Sequence, residues 1–153
     1  MGLRSRFGQP ENAMILKPSF ERRLFQITVL VATIVPIAAG GRGALIGPAM
    51  IHGSLPAPPD LDSHFRYLSG LLLGIGLAFA WAVPRVERHV ALFRALGLIV
   101  ILGGLARLLG AIEEGAPGTA HRFALVMELI VVPALLLWLG RIERIAGKAA
   151  PQD

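Results

Sequence analysis

The sequence predicts an all-α integral membrane protein: a four-helix bundle of antiparallel, up-and-down helices with both termini on the cytoplasmic side. Three observations carry that expectation. Hydrophobic residues make up 54% of the 153-residue chain and charged residues only 16%, against about a quarter charged in an ordinary soluble domain. The apolar residues fall into four long runs, and a helix crossing ~30 Å of hydrocarbon needs about 20 such residues at ~1.5 Å each. The basic residues collect at alternate ends of those runs.

The elements follow in order. Residues 1–23 form a polar, basic segment with Arg4, Arg6, Lys17, Arg22 and Arg23, in which Pro10 and Pro18 interrupt helix. The four-helix domain is expected over 24–140, with helices at 24–39, 65–83, 91–112 and 123–139 and a charged tail over 141–153. Gly40, Gly41 and Gly43 are expected to break the first helix. The Gly- and Pro-rich stretch from Leu45 to Leu61 then reads as an irregular loop outside the membrane. Two short polar links, around Arg85–His89 and Glu113–Gly118, join the remaining helices and force neighbours to be antiparallel. Pro36 and Pro133 are expected to kink their helices, since each removes a backbone hydrogen bond.

Orientation follows from charge. With the N-terminus inside, the cytoplasmic segments hold eleven Lys and Arg residues and the outer segments four: Arg42, Arg66, Arg107 and Arg122. A rival reading treats the basic start, the first apolar run and Ala38-Ala39-Gly40 as a cleaved export signal. The length of the segment before the run argues for a retained helix instead.

Several function classes are disfavoured on composition. The net charge of +5 forms no basic stripe with interleaved aromatics, which argues against nucleic acid as a partner. With no cysteine, thiolate chemistry, disulfides and cysteine-based metal centres are excluded. No metalloprotease, nucleophile-elbow or phosphate-loop motif is present. His64 and His121 stand at outer helix starts, but their spacing defines neither a haem nor a metal site. No cofactor is expected.

Packing in lipid needs close backbone approach, because lipid is as apolar as leucine. Gly70 and Gly74 on the second helix, with Gly97, Gly103 and Gly104 on the third, are the expected seams. The candidate functional residues are ionisable groups within the apolar runs, each costing about 2.5–3.5 kcal/mol at mid-membrane on insertion scales. Arg94 and Arg107 are ~20 Å apart along one helix, so each arginine can reach an interface by snorkelling. Glu128 lies ~10 Å past His121 and is too short to do so. An Arg107–Glu128 pair is therefore expected, with Arg66 close by. One arginine would then be surplus, making an outer-half pocket suited to an acidic or polar headgroup.

The order His64-Phe65-Arg66-Tyr67-Leu68-Ser69-Gly70, Phe93-Arg94-Ala95-Leu96-Gly97, Gly103-Gly104-Leu105-Ala106-Arg107-Leu108 and Glu128-Leu129 before Pro133 resembles an uncharacterised bacterial membrane family, domain of unknown function 4345. The similarity covers about residues 24–140. It implies four transmembrane helices and a bacterial inner membrane, and brings no established activity. The matching positions are Arg66, Arg94, Gly103, Gly104, Arg107 and Glu128. Where the family usually carries a serine after Arg-Leu, this chain has Leu109-Gly110. A looser similarity to DoxX-like four-helix proteins implies shared architecture only.

The function expected from these residues is binding of a small amphiphilic or anionic ligand, or of a partner subunit, through Arg66, Arg107 and Glu128. The alternatives are a small proton-coupled transporter in which Glu128 titrates and, last, a membrane enzyme. Expected partners are the lipid bilayer and an amphiphile, with a homo-oligomer or a partner membrane subunit as further readings.

Overall fold

The computed structural model describes residues 18–51 and 56–149, and within them every regular element is helical. Helix α1 spans Pro18–Ile46 and ends in a 3-10 turn, Gly47–Met50. Helix α2 spans Pro59–Ala82 and runs into a second 3-10 stretch, Val83–Arg88. Helix α3 is Val90–Glu114. The last rod is interrupted: α4, Thr119–Val126, passes through a π-turn at Met127–Val131 into α5, Val132–Ala149. Four rods of 31, 30, 25 and 27 residues are long and apolar enough to cross a membrane. Even the shortest rises ~37 Å, more than a ~30 Å hydrocarbon core requires.

Local chemistry sets the helix ends. Proline stands at the first position of α2, where its missing N–H costs nothing, and Asp60 and Asp62 in the first turn oppose the positive end of the helix dipole. Gly115 closes α3 at φ +96°, and Gly47 closes α1 at φ +71°, a region that L side chains avoid.

Glycines do not break the first helix. It continues through Gly40, Gly41 and Gly43, two of which face α2: Gly40 against its backbone and Gly43 against the Ser69 side chain. A Cβ on Gly40 would stand 2.5 Å from Leu73 N and 2.8 Å from Ser69 O, and one on Gly43 would overlap the Ser69 hydroxyl. Further along the seam, Gly76 of α2 sits against Ile37 and Pro36. The opposed numbering of these contacts makes α1 and α2 an antiparallel hairpin packed along its length.

The seam therefore differs from the one expected on α2. Gly70 and Gly74 have open space beside them, whereas Ser69 and Gly76 are buried. A helix turns about 100° per residue, so moving from Ser69 to Gly70 is enough to leave the interface. The same offset separates Gly104, which is buried under α4–α5, from Gly103, which faces open space. Gly97 lies as expected against a partner helix, touching Leu136.

The second hairpin, α3 with α4–α5, is also antiparallel: Gly97 faces Leu136 and Gly104 faces Glu128. The two hairpins join at one end only. There Phe25 and Val29 of α1, Ala82, Val83 and Val86 after α2, Phe93 of α3, and Leu139 and Ile142 of α5 form one buried cluster. Aromatic edges lock it: Trp138 meets Phe25 at 5.4 Å and Phe79 meets Phe93 at 5.2 Å, both T-shaped. We call this end the base. Toward the opposite end, α4 and the π-turn pack on α3 and make at most marginal contact with the first hairpin. No residue of α4 is buried, and past Gly97 only Gly104 is buried on α3.

Candidate functional site

The π-turn places the most unusual side chain in the protein. Pro133 has no N–H, and its ring presses on the carbonyl four residues earlier, at Leu129. The chain relieves this by widening one turn, with Val132 N–H bonding to the Met127 carbonyl five residues back. Such single turns recur at functional sites. The kink expected at Pro133 is thus a π-turn, and Glu128 lies inside it.

Glu128 meets Arg107 across the second hairpin. Arg107 Nε donates to Oε2 at 3.0 Å and Nη2 to Oε1 at 3.2 Å, a two-point pairing of guanidinium and carboxylate. Gly104, one turn before Arg107, makes the approach: an added Cβ would stand 2.8 Å from Glu128 Cβ. The pair is not sealed, since the Arg107 side chain is 33% exposed and that of Glu128 16%. Arg107 Nη1 takes no part in the pairing.

Arg66 does not join this pair. Its Nε donates to Asp62 Oδ2 at 2.6 Å, and its Nη groups reach the carbonyls of Ala44, Leu45 and Ile46 at 3.0, 2.7 and 3.3 Å. These are the carbonyls that the end of α1 leaves without helical partners. A cation there also answers the negative end of the α1 dipole. Gly47 sits directly beneath, where a Cβ would lie 2.5 Å from Asp62 Oδ1. Arg66 is thus a cap for α1 whose charge Asp62 balances, and among the described residues no surplus cation is paired with Arg107 and Glu128.

A second polar group, unforeseen in the sequence, holds the base. Glu21 is 5% exposed and accepts from Trp138 Nε1 at 3.1 Å and Arg141 Nε at 2.9 Å, tying the start of α1 to the end of α5. Gln26 Nε2 donates to the Val83 carbonyl at 3.0 Å, bridging α1 to the stretch after α2. Arg22 lies 3.3 Å from Glu87, and Arg94 bonds Glu143 at 2.5 Å. In the sequence Glu21 precedes the first apolar run and reads as part of a solvated, charged segment. Its position three residues before Leu24, on the face of Phe25 and Val29, was the available signal.

Among the described residues no group of three or more His, Asp or Glu side chains could hold a metal ion. What the arrangement at the open end offers is a neutral, two-point ion pair with one spare guanidinium nitrogen, in apolar surroundings.

No curated protein and no solved structure matches the chain. Residues 24–139, from the first apolar run to the end of the last, match the family described as Domain of unknown function (DUF4345). The matched stretch takes in Arg66, Arg107 and Glu128 as well as all four apolar rods, and the chain belongs to that family.

Proposed function

We propose that this protein acts by binding rather than by catalysis, admitting an amphiphile between its two hairpins at the end that carries Arg107 and Glu128. The observation behind this reading is the combination of an incompletely covered ion pair with a half-bundle that the first hairpin does not cover. Polar groups exposed to hydrocarbon are costly, so a pair meant only to fasten α3 to α4–α5 has no need of the exposure that Arg107 keeps. A pair left partly open suits a ligand whose head bonds Arg107 Nη1 and whose apolar body lies between the helices. Arg66, expected as a ligand residue, has its role in this reading as the cap that holds α1 to α2 beside the gap.

The proposal places the base on the cytoplasmic side of a bacterial inner membrane. Arg22, Arg23, Arg85, Arg88, Arg94, Arg141 and Arg144 all lie on the segments that form the base, which is the distribution that positive-inside insertion selects.

The test uses the full chain extracted in mild detergent. Native mass spectrometry of the wild type is expected to show a retained amphiphile. The double variant Arg107→Leu with Glu128→Leu is expected to lose it while unfolding at a similar temperature, since exchanging both partners strands no charge. An unchanged adduct in the double variant, or none in the wild type, rejects the reading.

A further inference from the structure

Two shallow grooves of about 510 and 520 Å³ flank α5 at the base, on either side of Leu137 and Arg144. The first is completed by Arg94 and Glu143 among others, the second by Glu21, Trp138 and Arg141. Three guanidinium groups thus share the two grooves with two carboxylates, and both carboxylates are engaged. Glu21 accepts from Trp138 and Arg141, and Glu143 from Arg94. Arg144 is the cation left over. Its Nε donates to the Gly140 carbonyl at 3.1 Å, and among the described residues it has no carboxylate partner.

Apolar surface continues away from these charges. Leu137 is 76% exposed between the grooves, one turn from Arg141 and two from Arg144 along the same helix. Arg141 and Arg144 lie past the apolar run that ends at Leu139, on the charged continuation of α5, where a spanning helix meets the headgroups. A tryptophan tethered by its N–H and an arginine pair at that depth are characteristic of a headgroup layer.

We propose that Arg144, with the outer nitrogens of Arg141, binds the phosphate of an anionic phospholipid, and that the lipid's acyl chain runs along Leu137 on the outer surface of α5. This site is separate from the gap at Arg107 and Glu128 and does not depend on it. One cation without a counter-charge favours a ligand with a net negative charge over a zwitterion, and the exposed leucine favours a lipid over a soluble phosphate.

The test is lipid binding by the detergent-solubilised full chain, read by native mass spectrometry. The probes are phosphatidylglycerol, phosphatidylcholine and glycerol 3-phosphate. Phosphatidylglycerol is expected to bind more tightly than phosphatidylcholine. Arg144→Gln is expected to weaken phosphatidylglycerol about fivefold, the effect of one basic residue at an anionic surface. Arg144→Lys should keep most of the binding, because it keeps the charge. Leu137→Ala, at a position too exposed to support the fold, should weaken phosphatidylglycerol and leave its preference over phosphatidylcholine intact. Equal binding of the two lipids overturns the proposal, as does wild-type binding by Arg144→Gln. Displacement of the lipid by equimolar glycerol 3-phosphate overturns the lipid assignment. Arg107→Leu with Glu128→Leu should leave this binding unchanged, which separates it from the amphiphile in the gap.

Discussion

Arg107 and Glu128 each carry a charge into a segment otherwise built of Leu, Ile, Val, Gly and Ala, and the two-point contact between them is what makes that tolerable. Removing one partner leaves the other without a counter-charge in a poorly solvated place. Arg107→Leu or Glu128→Leu alone is therefore expected to cost about 3–5 kcal/mol, and the double change much less than the sum of the two. Thermal unfolding of the four proteins in one detergent checks this as a double-mutant cycle. Additive losses would mean that the pair contributes nothing as a pair. At Arg66 the expectation differs, because its partners are one carboxylate and three carbonyls at the end of α1. Loss of that cap is expected to affect the α1–α2 hairpin and not the Arg107–Glu128 contact.

Between elements, contact depends on which side of a helix a small residue faces. The α1–α2 hairpin closes through Gly40 and Gly43 against Ser69 and Leu73, with backbone touching backbone at Gly40. Rigid backbone cannot yield as a side-chain tip can. Gly40→Ala is expected to force the helices apart and lower stability by about 1–3 kcal/mol. Gly74→Ala, with open space beside it, is expected to have no destabilising effect, alanine being the better helix former. Thermal unfolding of both variants in detergent decides the point. An equal loss at Gly74 would show that a second chain covers that face. The π-turn is a second element-scale device: it absorbs Pro133 and, by adding a residue to one turn, sets the direction in which Glu128 leaves the rod.

For the whole molecule, the base is the anchored end and the opposite end is the open one. Aromatic packing, the Glu21 clamp and the bridge from Gln26 all lie at the base, and it is there that the two hairpins are tied together. Orientation in the membrane is a separate matter that charge decides. Since the chain has no native cysteine, Glu87→Cys and Gly118→Cys report on the two sides without background. An impermeant thiol reagent applied to intact cells is expected to label position 118 and spare 87. Labelling of 87 from outside would reverse the assignment.

Four apolar rods, their all-helical character and their membership of one family were legible in the sequence alone. Each depends on one-dimensional quantities: run length against bilayer thickness, composition, and the order of a few charged and glycine residues. The Arg107–Glu128 contact was legible too, because equal depth on antiparallel neighbours nearly dictates it. Tertiary structure decided the rest. Gly40 and Gly43 read as helix breakers until α2 lay against them, and Gly70 and Gly74 read as a seam although they stand a fraction of a turn off it. The contacts of Arg66 with the carbonyls of Ala44, Leu45 and Ile46, about twenty residues away in the chain, had no mark in the sequence. Glu21 read as solvated until Trp138 and Arg141 closed over it from the far end of the sequence. The physical reason is the same in every case. Transfer of a segment into lipid is a sum over its own residues, whereas the face a residue presents, and what meets it there, is set by rotations of about 100° per residue and by partners distant in sequence.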